Sequence, residues 1–192
     1  MKIRITIVFL FFWSAAISQV SESEVVQINC LLNSSLVLTI DNNQINFTFN
    51  TVDQFQNGII SSVNSQTNGS VSATCNWNLS IMASADALLH SDGLNTVPLD
   101  VVGYQVELTG SPGINRIQNN VQNTIAALSN MPNVVLTRSV NTNAGSDNAN
   151  AFRVNWEMGT SNGSMNALSI LEGDYKKGEY STNIDFIVSE IL

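Results

Sequence analysis

The stretch VSATCNWNLSIMAS, residues 71–84, alternates almost without fault. Val71, Ala73, Cys75, Trp77, Leu79 and Ile81 fall on one side, and Ser72, Thr74, Asn76, Asn78 and Ser80 on the other. A period of two over so long a run reads as a half-buried β-strand, because successive side chains of a strand point to opposite faces. Its inner face carries Cys75 and Trp77; its outer face carries only small polar groups.

The same period recurs along the chain. SLVLTI places Leu36, Leu38 and Ile40 together, and QINFTFN sets Ile45, Phe47 and Phe49 against Asn46, Thr48 and Asn50. FRVNWEM sets Phe152, Val154, Trp156 and Met158 against Arg153, Asn155 and Glu157. VPLDVVGYQVELTG is apolar and β-branched, and EYSTNIDFIVSEIL gathers Tyr180, Ile184, Phe186 and Val188 on one face. Between these runs stand Asn, Gly, Ser and Asp clusters such as NSQTNGS, SDGLN and GTSNGS. Short, spaced strands with such turns predict an all-β, two-sheet antiparallel Ig-like or pilin-like sandwich. Clean alternation argues against a parallel sheet covered on both faces. Trp77, Trp156 and Phe186 are its expected core aromatics.

One segment has a different period. SPGINRIQNNVQNTIAALSNMPN, residues 111–133, puts Ile114, Ile117, Val121, Ile125 and Leu128 on a helical stripe. Ser111 suits a cap, Pro112 the first turn and Pro132 the stop. One short helix is expected near 112–130, packed on an end or edge of the sandwich; the alternative is a polar loop with chance spacing.

The chain opens with MKIRITIVFLFFWSAAISQ: a basic start at Lys2 and Arg4, an apolar run from Ile5 to Trp13, then small residues at Ala16 and Ser18. This predicts a secretory signal over 1–18, cleaved near Ser18/Gln19, with a single β-sandwich domain over 19–192. The apolar run is shorter than the roughly 20 residues of a membrane span, so no span is expected after cleavage. The expected destination is extracytoplasmic: secreted, periplasmic or cell-surface. Loss of Lys2 and Arg4 leaves 5 basic against 15 acidic residues. A charge of about −10 repels nucleic acid and acidic membranes.

Cys30 and Cys75 are the only cysteines. In an exported chain they predict a disulfide, closing a loop that the chain-entropy model values at about 4 kcal/mol; the alternative is two separate buried thiols. With a single histidine, His90, no zinc site of the usual ligands can be assembled. His90 reads as an exposed turn histidine with Ser91 and Asp92 too close in sequence for a triad. Asp86, Asp92, Asp100 and Glu107 are scattered singly, so the sequence locates no glycosidase pair; a hydrolase is the third reading and requires two acids converging in one cleft. No catalytic residue, cofactor or metal is expected. Asparagine is abundant, 26 residues. In NTNAGSDNAN, residues 141–150, Asn141, Asn143 and Asp147 offer oxygens that calcium could accept, with a flexible loop as the alternative. Triplets at Asn33, Asn46, Asn68, Asn78 and Asn162 match a glycosylation pattern and read as incidental in so Asn-rich a chain.

The tail carries a resemblance. A leucine, Gly173-Asp174-Tyr175, a spacer, Tyr180 and a final alternating strand look like the end of bacterial pilin-like sandwiches. The cysteine pair is similar to the disulfide between the first two strands of chaperone–usher pilin subunits. Trp77-Asn78-Leu79 resembles the first Trp-x-Leu motif of WxL surface domains, which attach to cell walls. The likeness spans roughly residues 30–190 as a pattern of strands. Two departures stand against it: the WxL family's second motif is replaced by Phe186-Ile187-Val188, and Glu22 and Glu24 interrupt the apolar parity of Val20, Val26 and Ile28. The resemblance implies a secreted, non-enzymatic structural or adhesive protein, a fimbrial subunit, with other surface subunits as partners through strand edges. The alternative is a monomeric carbohydrate-binding or cell-wall-binding module with a glycan as partner. Such a module needs exposed aromatic platforms, for which Tyr104 and Tyr175 are the loose candidates.

Overall fold

The computed structural model describes residues 27–42 and 44–191. The expected signal peptide, Trp13, and the extension with Val20, Glu22, Glu24 and Val26 lie outside the described residues. The chain divides into one unit of residues 1–32 and a second of 33–192. Residues 27–32 are exposed and without regular structure, and every strand described below belongs to the second unit.

The stretch 71–84 is two strands rather than one. β1 (Leu36–Ile40) pairs antiparallel with β2 (Gln66–Ala73), and the chain bends at 74–76 before β3 (Trp77–Ala83). At the bend the chain crosses from one sheet to the other, and the inward parity survives the crossing. Val71 and Ala73 face the core from β2; Trp77, Leu79, Ile81 and Ala83 face it from β3. Cys75 sits at the corner, half-buried.

The remaining strands are β4 (Ala87–His90), β5 (Thr96–Pro98), β6 (Val102–Leu108), β7 (Ile117–Asn119), β8 (Ala126–Ala127), β9 (Asn133–Arg138), β10 (Ala151–Met158), β11 (Tyr180–Ser181) and β12 (Ile184–Glu190). They form a five-stranded sheet in the order β1-β2-β10-β6-β8, a four-stranded sheet β12-β3-β9-β7, and a small sheet β11-β4-β5. All pairings are antiparallel. The fold is an all-β sandwich.

The two larger sheets share one core. Val106, Tyr104, Phe152, Val154 and Trp156 come from the first; Trp77, Leu79, Ile81, Val135 and Leu136 come from the second. Each fully buried Val, Leu, Ile or Phe contributes about 1.5–3 kcal/mol relative to exposure. Tyr104 and Trp156 keep their polar ends satisfied. Asn133 Nδ2 donates to the Tyr104 hydroxyl at 2.8 Å, and Trp156 Nε1 donates to Thr67 Oγ1 at 3.0 Å. Burial pushes the Tyr104 phenol up from its ordinary range, partly opposed by that Asn133 bond. Gly69 interrupts the β2 pattern because the Phe152 ring lies over it: a Cβ there would meet Phe152 Cζ at 2.5 Å. In β9 a bulge opposite Leu79/Ser80 lets both Val135 and Leu136 bury.

Three expectations are corrected. There is no helix over 112–130; that segment holds β7, a turn and β8. Four of the five stripe residues, Ile114, Ile117, Val121 and Ile125, are β-branched, and asparagine recurs at 115, 119, 120 and 123; both residue types are poorer helix formers than alanine or leucine. The asparagines bond to backbone instead: Asn119 Nδ2 donates to Val106 O at 2.7 Å and its Oδ1 accepts from Val121 N, while Asn120 Nδ2 donates to Val134 O. The α-helix of the described residues is α1 (Val52–Asn57), which begins with a Thr51–Gln54 capping box. Second, Cys30 and Cys75 are both free thiols, not a disulfide. Cys30 is exposed in a segment outside any strand, because regular pairing begins only at Leu36. Burial, then the Glu190 charge, pushes the Cys75 thiol up, so it stays protonated.

Third, His90 is buried, not an exposed turn residue. It ends β4 against Tyr180, ring centroids 4.8 Å apart, and Gly178 leaves room for its ring. Asp92 N donates to its Nδ1 at 3.0 Å, and its Nε2 lies 3.2 Å from Lys177 O.

Candidate functional site: an open side of the sandwich

The site is built from three strand-like stretches that meet the core from one side. β1 and β12, edge strands of different sheets, lie against one another. Neither is fully covered: Leu36, Leu38 and Ile40 on β1, and Ile184, Phe186 and Val188 on β12, are only half-buried against the core. Phe186 packs edge-on to Trp156 across the sandwich, centroids 6.4 Å apart.

The third stretch follows β1. Residues 44–50 keep the expected alternation, with Ile45, Phe47 and Phe49 half-buried against the core and Gln44, Asn46, Thr48 and Asn50 exposed. Yet QINFTFN is not a strand, which corrects the sequence reading. Its ends are tied: Asn42 Nδ2 donates to Gln66 O at 2.9 Å and Asn42 Oδ1 accepts from Gln44 N, while Gln54 Oε1 accepts from Asn50 N at 2.7 Å. Phe49 meets Phe55 of α1 at 5.4 Å. Between those ties, the backbone of Ile45–Phe49 makes no hydrogen bond with other described residues. Its N–H and C=O groups are left to water or to a partner strand.

The other residues marked by the sequence do not converge. Of Asn141, Asn143 and Asp147, the oxygen donors the sequence offers to calcium, Asn143 is committed to protein backbone. Asn143, fully buried, accepts from Trp77 N at 3.0 Å and donates to Trp77 O at 2.7 Å, and its own carbonyl accepts from Trp77 Nε1 at 2.9 Å. Asn141 Nδ2 donates to Ile114 O, and Asp147 Oδ1 accepts from Asn148 N. Buried Asn150 adds a bond from its Nδ2 to Val71 O at 3.0 Å, so the loop is a clasp over the β2–β3 crossover. The sequence signal for oxygen donors at alternating positions was present, but of the three only Asn143 serves the backbone of Trp77, while Asn141 and Asp147 bond elsewhere in the loops.

The acids are likewise dispersed. Asp86 accepts from Asn130, Asp100 from Asn166, Glu107 lies 3.7 Å from Arg153, and Asp92 accepts from Lys176 at 2.7 Å. The Lys176 ammonium, followed by the Leu94 backbone N–H, holds the Asp92 carboxyl far below the usual range. Among the described residues no three His, Cys, Asp or Glu groups gather as metal ligands, and no helix is long and apolar enough to cross a membrane.

Trp77, Trp156 and Tyr104 are buried, and Tyr175 is half-buried. No family model matches the chain, and the search of curated proteins returns no match.

Proposed function

We propose that this chain is an exported, non-enzymatic cell-surface protein, a structural or adhesive sandwich subunit that assembles through its strand edges, as a fimbrial subunit does. The observation that carries this reading is the open side. β1, β12 and residues 44–50 present apolar side chains that are only half-covered, beside main chain with no partner strand among the described residues. Strand addition to such an edge supplies main-chain hydrogen bonds for affinity and alternate side chains for specificity.

The rival, a monomeric module that stacks sugars on an exposed aromatic platform, has less support, since Trp77, Trp156 and Tyr104 all lie inside. The test is a blot of native envelope and secreted fractions, boiled and unboiled, with light scattering on the purified chain over a concentration series. Edge assembly gives multiples of the monomer that collapse on boiling. A single monomer band, with a monomeric mass at every concentration, overturns it.

A further inference from the structure

Folded proteins blunt their sheet edges with short strands, proline, lysine or bulges, because an unpaired edge is a template for another chain. Most edges here are blunted. β8 and β11 have 2 residues each, β7 has 3, and β5 has 3 and ends at Pro98. β12 is the longer of two exceptions, β1 being the other. It runs for 7 residues without proline, lysine or bulge, paired throughout with β3 from Ile184↔Ala83 to Glu190↔Trp77. Its other edge has no backbone hydrogen-bond partner among the described residues, although β1 of the opposite sheet lies against the strand.

The sequence of this edge, IDFIVSE, is complementary to itself about Ile187. In an antiparallel pair, directly opposed residues point to the same face, so a continuous sheet requires a register that preserves parity. Centred on Ile187, all seven positions pair. Phe186 meets Val188 of the second copy on the core face, and Ile187 meets Ile187 on the outer face. Asp185 meets Ser189, which carries no charge. Ile184 meets Glu190 only at the ladder ends, where Glu190 is exposed. Sliding by two residues puts Asp185 opposite Ile187, or Glu190 opposite Phe186, and shortens the ladder.

Two further observations favour a second copy as the occupant. Ile187 is 40% exposed and Val134 37%, and the two flank Ser80 in one cross-strand row on the outer face. Pairing at Ile187 makes that row continuous across both copies. The chain is acidic, so self-association must keep carboxylates apart. This register leaves the two copies of Asp185 four positions apart, about 14 Å at 3.4 Å per residue, beyond the Debye length of about 8 Å at physiological ionic strength. Glu190 lies one position from Asp185 of the second copy, but on the opposite face.

We propose that β12 is a self-association edge, pairing antiparallel with β12 of a second copy in the register centred on Ile187. This rests on the edge-assembly reading above and names one edge and its partner; a two-fold pair closes as a dimer, so higher multiples require a second edge such as β1. The free edge of β1 is the competing site; it is shorter, 5 residues, and its exposed outer-face Val37 stands among the polar Thr39, Ser70 and Ser72, with no apolar cross-strand row.

The test is site-directed crosslinking in a chain carrying Cys30→Ser and Cys75→Ser, its fold checked by circular dichroism. Ile187→Cys places like against like at the two-fold axis, within the Cα separation of roughly 4.4–6.8 Å that a disulfide needs. Mild oxidation then converts most of the chain to a reducible dimer. Asp185→Cys, lying far from its own copy, stays monomeric. In the chain with its native cysteines, Ile187→Lys shifts the light-scattering mass from dimer to monomer. A dimer that survives Ile187→Lys, or that crosslinks equally through Asp185→Cys, overturns the β12 register but leaves edge assembly standing. A monomer at every concentration, with no crosslink through Ile187→Cys, removes both.

Discussion

VSATCNWNLSIMAS and QINFTFN carry the same alternation and meet opposite fates. The first becomes β2 and β3, crosses between sheets, and buries its apolar side chains almost completely. The second lays Ile45, Phe47 and Phe49 on the core yet joins no sheet. Alternation therefore reports which side of the chain meets the core; whether the backbone is paired depends on neighbours that the segment itself does not name. At the crossover those neighbours are Asn143 and Asn150, which hold Val71 and Trp77. At residues 44–50 only the ends are held.

Truncation should separate the two regions most widely. Trp77→Ala removes a fully buried aromatic and should cost about 3–5 kcal/mol in denaturant unfolding, whereas Phe47→Ala, half-buried, should cost about 1–2 kcal/mol. Equal losses would mean that the open side is as tightly packed as the crossover. Next comes Asn143→Ala, which leaves the Trp77 N–H and C=O buried without partners and should cost about 2–4 kcal/mol. Its counterpart on the other stretch, Asn46→Ala, is exposed and should stay within about 0.5 kcal/mol.

The smallest effect concerns pH, away from both stretches. The folded pKa of Asp92 is depressed, first by Lys176, so its contribution is present above the unfolded carboxylate pKa of about 3.9 and is lost as pH falls below it. Asp92→Asn should flatten the acid limb of the stability profile. A steep acid limb retained in the variant would assign that limb to other carboxylates.

Much of the sandwich was legible in sequence because its central strands are periodic and their inner residues large. FRVNWEM is β10, and SLVLTI contains β1. The helix expected near 112–130 failed because spacing alone cannot weigh the preference of Asn119 and Asn120 for nearby backbone groups. The disulfide failed because strand pairing starts after Cys30. His90 was misplaced because its burial comes from Tyr180 and Gly178, nearly ninety residues away in sequence. The candidate site was the least legible part: the apolar faces of β1, 44–50 and β12 could be read individually, but not that they lie at one half-covered side.

Native-state amide hydrogen exchange separates a paired backbone at 44–50 from an unpaired one, because it reads protection residue by residue. Amides of Ile45–Phe49 should exchange close to the unprotected rate in the monomer, while those of Trp77–Ala83 should exchange only by global unfolding. Comparable protection in the two stretches would contradict this, since Ile45–Phe49 would then have a backbone partner and the side would be closed.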